Sequence, residues 1–426
     1  DGEFGPSGDQ DIIKCGSYSG TSSSGNAINL GFEPQWVLIK NATTSVGDWY
    51  IYDSMRGVIT GSGDREIEAN DNATEAASSG GSQNWIDFNA TGFSMMDNYE
   101  GVNQSGKTYI YMAIRRGPLA VPDDATKVFG VNYAYTYDVN GSTGGSSAQL
   151  FGYIGEPSDL NIQGYRNGSS YNAAVYDRLR GGKYLVTNTN SAEGSVSGNF
   201  WDNMAGFSVE ASAQDTTYVS WVWKRAPSYF DVVGYVGAGA AQTVNHNLGV
   251  VPEMMWIKNR DSAENWAVYH SALGTSKYLH LNTTDAGLTT DAANRWNNTS
   301  PTATQFTVGT STEVSHFTRN FVAYLFATVA GVSKVGSVSH TSGSTTNVDC
   351  GFSSGARFVI LKASSIASQW MVFDTVRGIV SGVSPFMRLN QTGAEATSTD
   401  IIDPYSTGFA IDPTVSTATY IFYAIA

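Results

Sequence analysis

The chain has few cysteines, few charges and no long apolar run. Only Cys15 and Cys350 occur among 426 residues. Small secreted domains with too little core are dense in disulfides, so a stapled scaffold is excluded. The two cysteines occupy different places in the chain's repeating pattern and are read as two buried thiols, not a bridge. That usage fits folding in a reducing cytosol and later release inside a particle. Charged residues make up 15%, with 24 basic against 38 acidic side chains and a formal charge of −14. An acidic surface repels phosphate backbones, and no Lys/Arg stripe overrules it, so nucleic-acid binding is not expected. No apolar segment is long enough to cross a bilayer as a helix, and membrane insertion is not expected. No segment keeps amphipathic helical spacing for three turns. Neither G-x-S-x-G, a Walker loop, H-E-x-x-H nor a Cys-His nucleophile pattern occurs. No catalytic residue, cofactor or metal is therefore assigned. Asp1-Gly2-Glu3-Phe4-Gly5-Pro6 reads as a linker without a signal peptide, and the polypeptide is expected to extend upstream or to have been processed. Ala426 falls where a last strand ends and is read as a genuine C-terminus.

What the chain does have is a segment that appears four times. An aromatic strand ends in Tyr/Phe-Asp, and Arg-Gly follows after two spacer residues. It reads Ile51-Tyr52-Asp53-Ser54-Met55-Arg56-Gly57, Val175-Tyr176-Asp177-Arg178-Leu179-Arg180-Gly181 and Val372-Phe373-Asp374-Thr375-Val376-Arg377-Gly378. A drifted copy reads Val268-Tyr269-His270-Ser271-Ala272-Leu273-Gly274. The steps between copies are 124, 93 and 104 residues, too long for a solenoid and right for a small domain. Other landmarks keep the same order. A strand closed by Lys40, Lys258 or Lys362 precedes the motif, and Trp49, Trp266 or Trp370 opens the motif strand. A Gly/Gln-Phe strand and an aromatic closing strand follow. The second copy lacks a clear Lys strand and its Trp.

Short β-branched and aromatic runs alternate with Gly/Ser/Asn/Asp clusters, which is the signature of strands joined by turns. About seven strands per repeat point to a two-sheet sandwich. The expected fold is all-β, with four tandem antiparallel β-sandwich domains of jelly-roll or lectin-like type. Their expected bounds are 1–118 (a linker plus the first repeat), 119–227 (the most diverged), 228–331 and 332–426. The joints fall near Pro118, Pro227 and Gly331. The closing strands are apolar on both faces and belong in the middle of a sheet.

The repeated Asp and Arg could clamp a sugar or activate water. The plainer reading is an internal ion pair bracing a tight turn, in the pairs Asp53 with Arg56, Asp177 with Arg180 and Asp374 with Arg377. In the third copy both partners change together, to His270 and Leu273, which favours mutual satisfaction. His246, His270, His280 and His316 all lie in the third repeat. None has ligand-pair spacing, and they are read as scattered surface residues. Asp138-Val139-Asn140-Gly141 opens like a calcium loop, but no Glu closes it, so it is read as a hairpin turn. Trp85, Trp201 and Trp296 sit among polar residues after the motif. They are either stacking platforms for a glycan or caps on the ends of their sandwiches, with the cap favoured. Tyr133, Tyr135 and Tyr137 alternate along one strand face and suit a glycan, a neighbouring subunit or a partly covered sheet.

These landmarks resemble a family of tandem-repeat proteins from tailed bacteriophages, especially marine ones, regarded as tail-fibre-like or other virion structural proteins. The resemblance runs over nearly the whole chain and is strongest from Asp231 to Ala426. Its most specific stretches are Val322 to Ser337 and Phe373 to Val380. Arg115-Arg116-Gly117-Pro118 and Lys224-Arg225-Ala226-Pro227 look like its inter-repeat joints. The resemblance implies a non-enzymatic virion component at the particle surface, a tail fibre or surface appendage that contacts the host. The implied partners are other virion proteins, further copies of the chain (a trimer being one form) and a host surface glycan. A phage-borne polysaccharide depolymerase, a capsid decoration protein and a cellular adhesin stay open as alternatives. Depolymerases often use β-helices with short repeats, which favours the first reading.

Overall fold

The computed structural model describes residues 3–4, 10–45, 47–58, 60–61, 63–77, 84–117, 120–133, 149–167, 172–195, 201, 206–209 and 218–426. Pro118, Tyr135, Tyr137 and the Asp138–Gly141 segment lie outside them. The protein is an all-β protein made of several separate antiparallel sheets. Among the described residues, helical segments are single turns of three or four residues.

One sheet order recurs. In the first repeat the opening strand Ile13–Ser19 pairs with the closing strand Thr108–Arg115. That strand pairs with the Lys strand Pro34–Asn41, which pairs with the motif strand Tyr50–Asp53 and then Arg65–Glu68. The same order runs through Phe129–Tyr133, Tyr218–Trp223, Leu160–Tyr165, Ala174–Asp177 and Lys183–Val186. It runs again through Phe230–Val236, Asn320–Phe326, Met254–Asn259, Ala267–His270 and Leu279–His280. The last sheet uses Ser333–His340, Ala418–Ile425, Phe358–Ala363, Met371–Asp374 and Met387–Arg388. Each closing strand is thus interior to its sheet. The second repeat, unreadable in its front half, has Leu160–Tyr165 in the Lys-strand place.

A smaller sheet faces each large one. It contains the Gly/Gln-Phe strand, as in Gly92–Met95 between Asn26–Asn29 and Ile86–Asn89. Its counterpart Gly408–Ile411 lies between Thr346–Asp349 and Ile402–Tyr405. The core sits between the two sheets. In the first repeat Ile28, Phe93 and Met95 from the small sheet meet Val37, Ile39, Tyr52 and Tyr111 from the large one. The glycine has a steric reason. A Cβ on Gly92 would lie 2.0 Å from the Ile28 carbonyl oxygen, and one on Gly408 2.1 Å from that of Val348.

The chain divides into two compact units. One comprises Asp1–Ala120 with Arg178–Gly181, and the other Val121–Asp177 with Gly182–Ala426. Three of the recurrent sheets therefore share the second unit. Two joints inside it use one turn, with Ala226 bridged to Phe230 and Val329 to Ser333. Each turn holds a residue of positive φ, Ser228 in one and Gly331 in the other.

The thiols differ from expectation. Both are free, but only Cys350 is buried, whereas Cys15 is exposed. Cys15 alternates outward on its strand, with Lys14 and Gly16 on the inner side. Burial pushes the Cys350 thiol up to about 12.

Replacing Gly92 with Ala should lower stability by roughly 1–3 kcal/mol, because backbone must move. Gly117 has open space around its Cβ position, so its Ala variant should stay within about 0.5 kcal/mol of the parent. Thermal unfolding of the two variants checks this, and equal effects would contradict the steric account.

Candidate functional site: the motif turn and the joints between repeats

The motif strand ends at the edge where the chain must turn back. In the fourth repeat Asp374 Oδ1 accepts the Arg377 backbone N–H at 2.9 Å, and Oδ2 accepts Arg377 Nε at 2.6 Å. Arg377 Nη2 donates to the Val372 carbonyl at 2.8 Å. Gly378, at φ 113°, closes the turn by donating to the Asp374 carbonyl. The first repeat builds the same turn. Asp53 Oδ2 meets Arg56 Nε at 2.6 Å, and Arg56 Nη2 reaches the Ile51 carbonyl at 3.2 Å. Neither side chain of the Asp374–Arg377 pair has any solvent exposure, whereas the Asp53–Arg56 pair is partly open. In the drifted copy, His270 Nδ1 accepts the Ala272 N–H at 3.1 Å. A neutral imidazole thus takes over the turn-bracing part of the aspartate, and Leu273 leaves no cation to satisfy. Asp177 and Arg180 are both fully buried.

Within the second unit the motif residues also reach the neighbouring repeat. Asp374 accepts the Trp221 indole N–H at 2.9 Å, from the closing strand of the second repeat. Asp177 accepts the Tyr324 hydroxyl, from that of the third. His270 lies against the backbone of Phe422, in that of the fourth. The three contacts run in a cycle, and two further sets complete it. Glu193 N donates to the Arg260 carbonyl, Gly287 N to that of Ser364, and Glu395 N to that of Arg166. Arg260 pairs with Glu193 at 2.9 Å and Arg166 with Glu395 at 2.8 Å. At the third joint buried Lys362 Nζ donates to the Thr284 and Asp285 carbonyls at 3.2 and 2.8 Å. Burial lowers the Lys362 pKa to about 8, opposed by Asp285. The motif-opening Trp side chains serve the same seams. Trp266 donates to the Val186 carbonyl at 2.9 Å and Trp370 to that of His280 at 3.0 Å.

The outward faces of three large sheets thus close on one another. Phe326 and Phe358 pack at 6.5 and 5.4 Å from Trp223, and Phe326 packs at 5.0 Å from Tyr423. Residues 10–118 and 132–426 match the family described as a domain of unknown function (DUF7483). The chain belongs to that family. No curated protein matches the chain. The matched spans take in the motif turns of all four repeats, but only Asn132 and Tyr133 of the strand Phe129–Tyr133.

The remaining sequence candidates lie elsewhere. Trp85, Trp201 and Trp296 are buried in three separate cores, and none presents an open ring face. Trp296 Nε1 is bonded to the Lys277 carbonyl at 3.0 Å. Tyr133 is half-buried at the seam of the second and fourth repeats. Its hydroxyl donates to the Val376 carbonyl at 2.9 Å, and Arg166 lies 4.5 Å over its ring. The histidines differ from the surface expectation, because His246, His270 and His280 are buried while His316 is half-buried. Polar partners make that burial possible. His280 Nε2 meets Glu313 at 3.2 Å, and Arg295 meets the same carboxylate at 2.7 Å. Burial raises the Glu313 pKa, but His280 and Arg295 outweigh it and hold it down at about 2. Among the described residues, Asp400, Asp403 and Asp412 bring carboxylate oxygens within 4.8 Å of one another. Burial and the other two carboxylates raise Asp400 to about 6. Among the described residues, the inter-repeat seams bring motif residues of three repeats against their neighbours.

Two outcomes follow from the seams. Arg377→Leu strands a fully buried carboxylate and should cost about 3–5 kcal/mol. Arg56→Leu, at the half-open copy, should cost less, and a double-mutant cycle of Arg377→Leu with Asp374→His should show positive coupling. Equal costs, or no coupling, would contradict the pairing. The second outcome concerns acid. Burial lowers His270 to about 4, whereas an unfolded histidine titrates near its ordinary value of about 6.5. Between those values the unfolded chain binds the extra proton, so stability falls as pH drops through this window, by up to about 3 kcal/mol. His270→Gln should flatten the slope of unfolding free energy between those pH values. An unchanged slope would mean that His270 does not titrate as its burial requires.

Proposed function

We propose that this chain is a non-enzymatic virion structural protein of a tailed bacteriophage, a tail fibre or surface appendage that works by contact. The observation that carries the reading is where the repeated chemical groups go. Asp374, Asp177 and His270 have no solvent exposure, and each lies against a closing strand of a neighbouring repeat. The motif residues of these three copies thus serve cohesion. The resemblance to phage tail-fibre-like proteins supplies the setting. The acidic, hydroxyl-rich and disulfide-poor composition is compatible with assembly in a cytosol and exposure on a particle afterwards. Other virion proteins and further copies of the chain are the partners in this reading, and a host surface glycan is its ligand class. Tandem copies raise avidity for a repetitive glycan even when each contact is weak.

The test is incubation of purified protein with bacterial envelope polysaccharides. Retention without new reducing ends is the expected result. Release of reducing ends would replace the reading with that of a depolymerase.

A further inference from the structure

The first repeat carries the same outward sheet face as the three repeats of the second unit. Register makes the comparison residue by residue. In each sheet one closing-strand residue pairs with the Lys-strand residue that pairs with the motif Asp or His. These residues are Ile114, Trp223, Phe326 and Ile425. Counting from them, Ile13 occupies the place of Phe129, Phe230 and Ser333 on the opening strand. Ile13 is 46% exposed, while those three are at most 1% exposed. Ile110 occupies the place of Val219, Val322 and Ile421, and is 41% exposed against at most 1%. Ile67 occupies the place of Leu185, Leu279 and Met387, at 37% against at most 6%. Trp49, which opens the motif strand, is 37% exposed, whereas Trp266 and Trp370 are at most 1% exposed.

Every one of these apolar side chains is open in the first repeat and covered in the others. Two more sheets of the same kind cover each of the others, presenting the same face in cyclic order. A single soluble domain has no use for a contiguous apolar patch of this sort. The ion pair agrees, since Asp53–Arg56 is half-open where Asp374–Arg377 is sealed.

We infer that the first repeats of three chains assemble about a threefold axis through this face, reproducing between chains the packing that the other repeats make within one. The occupant of the face is therefore a second and a third copy of the same domain. The inference rests on the proposed self-association and adds its surface and its stoichiometry. It also assigns a bond. Trp266 and Trp370 donate to Val186 and His280, each paired with the first residue of its motif strand. The matching residue in the first repeat is Glu68, paired with Tyr50. Trp49 Nε1 would donate to the Glu68 carbonyl of the adjacent copy. Exposed Cys15 lies opposite Met112 on the same face and would be covered by assembly.

Sedimentation equilibrium of the full chain tests this. The expected mass is three times 45.5 kDa, falling to one chain for Ile110→Glu, while Phe317→Glu, at an exposed position off this face, stays trimeric. Cys15 should react with a maleimide at least tenfold faster in the Ile110→Glu variant than in the parent. Should Ile110→Glu fail to fold, Trp49→Ala and dilution of the parent chain give the same two readings. A parent chain that is monomeric or dimeric overturns the inference and leaves glycan retention to be judged separately. A trimer that survives folded Ile110→Glu and Trp49→Ala overturns this face and leaves self-association standing.

Discussion

A sheet that is apolar on both sides must have both sides covered. The closing strands impose this constraint, because Val322, Tyr324 and Phe326 face away from the domain core yet are fully buried. One face packs on the small sheet of the same sandwich. The other has no partner within its own repeat, and three repeats of the second unit meet the requirement with one another. The hydrophobic effect fixes that the faces close. The polar seams fix how they close, since an indole or phenol that buries its donor needs an acceptor at one place only.

The motif side chains explain why turn and seam are inseparable. Asp374 uses one oxygen for the backbone of its own turn and the other for both Arg377 and Trp221. Removing the arginine would free a charge in a dry place, which costs more than losing the pair entirely. The drifted repeat follows the permitted route, exchanging Asp and Arg together for His270 and Leu273. That exchange carries its own sensitivity, because a buried imidazole resists its proton.

Much of the fold was legible in the residues. The fourfold motif, the Lys strands and the two-faced closing strands fixed the fold class and the place of the closing strand within each sheet. Legible also, though unused, was the consequence that a two-faced strand in a two-layer sandwich demands a third layer. Hence the seams were missed, although Trp266 and Trp370 were visible as landmarks. The histidines were misread because burial depends on partners far along the chain, such as Glu313 beside His280. Cys15 was misread for the opposite reason. Its counterparts Val232 and Val335 are buried, whereas Cys15 is exposed on the outward side of its own strand. The loop tryptophans stood among polar neighbours, yet their indoles fold back into the cores.

The three repeats of the second unit should stand or fall together through their outward faces. Hydrogen exchange of the Arg377→Leu variant tests it most directly, read on the closing strands Tyr218–Trp223, Asn320–Phe326 and Ala418–Ile425. Protection of interlocked elements reports one shared opening. This single change in the fourth repeat should lower protection in all three strands by a similar factor. Loss confined to Ala418–Ile425, with the other two strands unchanged, would contradict it.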